Sequence, residues 1–189
     1  MRMARIKLSG RGAVYHCLSR VVGGERLLGD LEKEQLRQML WQQAAFSGVE
    51  VITYCLMSNH IHLLLRVPAT VPATDAELVQ RAVAFYGRKS PYVRTLQDAL
   101  QSSSHLPADL RTGLAGRMGD VSEFMKELKQ RFSKWFNKER NRFGTLWAER
   151  FKSVLVEDQP GAVQVVAAYV DLNPVRAGLV TDPKDYRWS

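Results

Sequence analysis

Cysteine, histidine and long apolar runs are all scarce in this chain, and each scarcity excludes something. Only Cys17 and Cys55 occur among 189 residues. They fall in separate predicted strands and form no Cys-x-x-Cys pair, so a disulfide scaffold, a thiolate zinc site and a dithiol redox motif are excluded; both are read as buried free thiols. No apolar stretch approaches the length of a membrane span. The basic start, Met1 to Lys7, gives way to Gly10 and Arg11 in place of an apolar leader core, so a cytosolic, nucleoid-associated address and no membrane partner are expected. Acidic residues are also short, 19 against 27 Lys and Arg, for a net charge of +8. That balance favours a polyanionic partner through phosphate neutralisation and counterion release.

What is present organises readily. A hydrophobic share of 46% over this length is ample for one core and fits a single domain, residues 1–189, carrying an insertion. Residues 13–20 alternate as a first strand. Leu36, Met39, Leu40 and Ala44 recur at helical spacing between Glu32 and about Phe46, with Gly48 where a C-terminal cap belongs. A second strand near 50–57, a Ser58-Asn59 turn and a third strand from His60 to Val67 make an antiparallel hairpin that Pro68 ends. From 70 to 118 the pattern weakens to a variable insertion with one short helix near Asp75–Tyr86. Asp120 and Glu123 then open a long helix on a capping-box variant, with Val121, Phe124, Leu128, Phe132, Trp135 and Phe136 as its buried stripe. A fourth strand ends at Val156, and a last helix runs from Pro160 until Asn173-Pro174 disfavours its continuation. The order β-α-β-β-α-β-α predicts an α+β, ferredoxin-like split β-α-β antiparallel sheet, with helices on one face plus a C-terminal helix.

Half of the four histidines stand at His60 and His62. Strand alternation points both imidazoles one way and sends Ile61, Leu63 and Leu65 the other, and two adjacent imidazoles suggest a metal. On the last helix Tyr169 and Asn173 lie one turn apart on one face, so Asn173 is a candidate to complete the metal site and Tyr169 to lie beside a bound phosphate. The structural alternatives are a core tyrosine and a routine helix terminator before proline. His16, on the first strand, is the rival third ligand. Glu149, Glu157 and Asp171 are carboxylates that nothing in the sequence singles out.

The segment Ser58-Asn59-His60-Ile61-His62, the run Gly144-Thr-Leu-Trp147-Ala-Glu-Arg150-Phe-Lys152, and Tyr169-Val-Asp-Leu-Asn173-Pro-Val-Arg176-Ala-Gly178 together closely resemble the single-tyrosine HUH transposases of the IS200-like type, specifically the REP-associated tyrosine transposases. The resemblance spans most of residues 13–188, includes the ending Asp185-Tyr186-Arg187-Trp188, and breaks down over 70–118. It implies that His60 and His62 are the metal pair, that Asn173 is a third ligand and that Tyr169 is the nucleophile. A divalent ion, Mg²⁺ or Mn²⁺, then serves metal-dependent nicking and strand transfer on single-stranded DNA near hairpins, REP-like or at a transposon end, through a 5′-phosphotyrosine. The carrier is expected to be a monomer or a homodimer.

Arg150, Lys152 and Arg176 are candidate DNA contacts in this basic chain. Trp147 has two readings, core packing or stacking on an unpaired base. The alternative function is a non-catalytic, domesticated binder of structured single-stranded DNA or RNA. A histidine-triad hydrolase is disfavoured because Leu64 stands where a third alternating histidine is required. A closed zinc site lacks thiolates at suitable spacing.

Overall fold

Alternation along the first strand settles which side of the sheet each residue serves, and the rest of the fold is built around that division. The computed structural model describes residue 8 and residues 11–70 and 73–189; the basic segment 1–7 lies outside the described residues. Strands β1 (Ala13–Arg20), β2 (Glu50–Leu56), β3 (His60–Val67) and β4 (Lys152–Val156) form one antiparallel sheet in the order β2-β3-β1-β4. Between β1 and β2 runs helix α1 (Asp30–Ser47), closed by Gly48 in the left-handed region at φ 71°. Between β3 and β4 lie α2 (Asp75–Tyr86), α3 (Pro91–Ser103), α4 (Ala108–Ala115) and α5 (Val121–Glu139). After β4 come α6 (Pro160–Asp171) and the single turn α7 (Asn173–Arg176). The fold is the expected α+β antiparallel sheet.

One face of the sheet presents Tyr15, Cys17, Ile61, Leu63 and Leu65 to Leu36 and Leu40 of α1 and to Phe124, Leu128 and Phe132 of α5, making the main core. Removing that much apolar surface from water is the dominant stabilising term. Asp120 caps α5, its Oδ1 accepting from the Ser122 and Glu123 amides at 2.6 and 3.0 Å. On the opposite face, Val14, Leu64 and Val156 pack under Val163, Val166 and Ala167 of α6, and Val170 meets Cys55 and Met57. The terminal helix is thereby laid across the face that carries the histidines.

The segment expected to hold one short helix holds three. A separate apolar cluster joins α2 to α4 with Phe46 of α1, and the Asp75 carboxylate accepts from the Leu106 amide and from Arg111. Arg117 pairs with Glu127 on α5, anchoring the segment's end. The extra helices are short and mostly polar, with only Val93 and Leu96 buried in α3 and Leu114 in α4. So few apolar positions produce no readable periodicity; the one local sign was Ser90-Pro91, an N-cap position before a first-turn proline. Pro174 likewise sits in the first turn of α7, so the chain stays helical past Asn173.

Candidate active site

Strand register assembles the histidines. Directly opposed residues of an antiparallel pair share a face, so the pairings Cys55↔His62, His62↔Leu18 and Leu18↔Lys152 form one row across all four strands. Arg20 opposes His60 in the row beside it, and His16 opposes Leu64 and Val154 on the other side. Three imidazoles, His16, His60 and His62, therefore occupy neighbouring positions on the α6 face. His16 Nε2 and His62 Nδ1 share a hydrogen bond of 2.9 Å, and the His60 and His62 rings meet edge to face at 5.0 Å.

Helix α6 brings the phenol to them. With Val170 buried against Cys55 and Met57, the preceding Tyr169 sets its ring edgewise against His62 at 6.0 Å and His16 at 5.8 Å, while staying 43% exposed. Thr53 of β2 donates to Asp171 Oδ1 at 2.5 Å, tethering the end of the helix to the sheet. The Asn173 amide nitrogen donates to the Tyr169 and Val170 carbonyls at 2.8 and 3.1 Å. Its NH₂ thus closes the helix end, and only its oxygen is left for another partner. The Arg176 guanidinium stands 5.2 Å from the centre of the Tyr169 ring.

Burial governs the protonation of the imidazoles. It pushes His62 down to about 3, helped by the charges of His60, His16, Arg20 and Arg176. His60 is lowered by burial and then by Arg20, and His16 by burial. Neutral imidazoles keep a lone pair, which a metal needs. His60 is also oriented, its Nδ1 lying 2.7 Å from Asn59 Oδ1, as ligating histidines usually are by an outer partner. Among the described residues no three His, Cys, Asp or Glu side chains are arranged to hold a metal. A divalent ion would therefore take His60 and His62 together with amide, phosphate or water oxygens, a donor set suited to Mg²⁺ or Mn²⁺ with positions open to substrate.

The other singled-out residues divide. Lys152 shares the row of His62, is exposed and lies 3.0 Å from the Glu149 carboxylate. Arg150 precedes β4 and lines a different feature, an open cleft of about 940 Å³ between α5 and residues 144–151 that also includes Lys126 and Lys134. Of its two readings, Trp147 takes up core packing: it is 7% exposed, packs on Phe132 at 6.0 Å and donates from Nε1 to the Lys129 carbonyl at 3.2 Å, while its edge lines the same cleft. Two residues of the cluster carried little sequence signal. His16 is joined to His62 by strand register alone, and Arg20, opposite His60, was visible only as a charge ending a strand.

Residues 11–89 match the family model described as "Transposase IS200 like". No curated protein sequence matches the chain. Among solved structures, the chain is similar to a REP-associated tyrosine transposase bound to a REP hairpin, with a TM-score of 0.60 at 14% identity over 99% of this chain and 80% of that one. It is also similar to a protein of Deinococcus radiodurans R1 assigned to the transposases, with a TM-score of 0.41 at 17% identity over 89% of this chain and 95% of that one. The chain thus carries an IS200-like transposase match over residues 11–89 and shares the fold of a REP-associated tyrosine transposase along nearly its whole length.

Proposed function

We propose that this protein nicks single-stranded DNA beside a hairpin and rejoins it to another end, through a covalent 5′-phosphotyrosine at Tyr169. The observation that carries the reading is the placement of one half-exposed phenol against the neutral imidazoles of His62 and His16 within the same chain. His60 and His62, with the Asn173 amide oxygen, would hold a divalent ion, Mg²⁺ or Mn²⁺. Such an ion supplies Lewis-acid polarisation of the scissile phosphate.

Tyr169 Oη attacks phosphorus and loses its proton. The P–O3′ bond breaks, and the departing 3′ oxygen takes up a proton. The phosphodiester is retained as an O–P ester on tyrosine, so a different 3′-hydroxyl can attack it and release the phenol without a nucleotide cofactor. Arg176, beside the Tyr169 ring, places a fixed positive charge where the phosphate arrives. Lys152, in the row of His62 and exposed on the edge strand, serves the flanking backbone. The family match and the hairpin held by the structurally similar transposase support a DNA hairpin as partner.

A hairpin-bearing single-stranded oligonucleotide incubated with Mg²⁺ or Mn²⁺ should yield a protein–DNA adduct resistant to denaturation. Tyr169→Phe and removal of the metal should each abolish it. Hairpin binding without an adduct in the wild type would favour the domesticated binder over the enzyme.

A further inference from the structure

We infer that His16 is a positioning residue that accepts a hydrogen bond from His62 Nδ1–H and so holds His62 in the tautomer whose Nε2 keeps a bare lone pair. The inference rests on the reading that His60 and His62 hold the metal. It begins at His60, where the tautomer is already decided. Asn59 Nδ2 donates to the Gly24 carbonyl at 3.2 Å, which directs the amide oxygen to His60. An amide oxygen only accepts, so His60 Nδ1, 2.7 Å away, carries the proton and Nε2 is bare.

His62 presents the same nitrogen to a partner that can either give or take. Its Nδ1 is 2.9 Å from His16 Nε2, and the ring planes are within 9° of parallel with centroids 5.1 Å apart. Parallel rings with nitrogens that close are nearer than a stacking distance, so they meet edge to edge with N–H and lone pair in line. If His16 donated, His62 would accept at Nδ1 and bear its proton on Nε2, leaving no nitrogen for a ligand bond. If His16 accepts, Nε2 of His62 is bare, matching His60. Only the second arrangement is compatible with a metal on both imidazoles.

The acceptor is built into the scaffold. His16 lies on the inner strand β1, opposed by Leu64 on one side and Val154 on the other, and the Tyr169 ring rests edgewise on it. It is therefore held against His62 and the nucleophile at once, while its own role needs no bond to the metal.

Imidazole ¹⁵N shifts of the metal-free wild type at about pH 8, above the ordinary imidazole range, read the tautomer directly. We expect His62 to show a protonated Nδ1 and an unprotonated Nε2. In His16→Phe the His62 proton should redistribute toward Nε2, and Mn²⁺ affinity, followed by electron paramagnetic resonance, should fall about 10- to 100-fold. His16→Gln, whose amide oxygen again accepts, should recover most of that loss. Protonated Nε2 on His62 in the wild type would overturn the assignment whatever the variants do, as would a His16→Phe protein with unchanged His62 shifts. Wild type with the expected tautomer but no Mn²⁺ binding would instead refute the metal reading and leave the role of His16 standing.

Discussion

Burial of His62 ties the histidine cluster to folding stability in a way that acid can measure. The imidazole is 5% exposed, and its folded value of about 3 lies far below the ordinary 6.5, with desolvation the largest cause and the charges of His60, His16, Arg20 and Arg176 acting in the same direction. Because the folded value is depressed, the unfolded chain binds the extra proton first. The stability that comes from keeping His62 neutral is therefore complete above about pH 6.5 and drains away as pH falls toward 3. At about pH 4.5 the gap from 6.5 corresponds to about 3 kcal/mol. For a chain of this length, with a urea dependence of roughly 3 kcal/mol/M, that is about 1 M in the unfolding midpoint. Urea unfolding with chelator present, at about pH 7.5 and about pH 4.5, should show the wild type losing this much more than His62→Gln, since carboxylates titrate in both. Equal losses in the two proteins would refute the claim that a buried neutral imidazole sits at this position.

Three further variants test the surrounding packing and the DNA-facing surface. Trp147→Ala should cost about 3–5 kcal/mol in chemical denaturation, because the indole fills the core and satisfies the Lys129 carbonyl; Lys152→Ala should stay within about 0.5 kcal/mol while reducing the salt slope of hairpin binding by about 1. Thr53→Val should remove about 1–2 kcal/mol by leaving the Asp171 carboxylate without its 2.5 Å partner, and should slow adduct formation by loosening the end of the helix that carries Tyr169.

Elements whose instructions are local were legible. The Gly48 cap, the Asp120 cap and the Phe124-Leu128-Phe132 stripe each depend on residues within a turn or two, and the structure has them where spacing predicts. Helices α3 and α4 were missed because they owe their position to a shared apolar cluster and to Asp75 binding residues more than thirty positions away. Trp147 was ambiguous for a similar reason. A tryptophan suits both a core and a base-stacking platform, and its packing on Phe132 and Lys129 depends on segments no local pattern reports. His16 was legible as a rival to Asn173 but not as a partner of His62.

By itself the sequence determined the strand and helix order, the common direction of His60 and His62, and the one-turn spacing of Tyr169 and Asn173, since periods of two and of 3.6 residues are properties of a single segment. Tertiary structure alone decided that α6 crosses the histidine face and that β1 pairs with β3 in the register that puts His16 against His62. Register between strands distant in the chain is set by packing across the whole sheet, where a slip of one residue would turn His16 to the other face and dissolve the cluster.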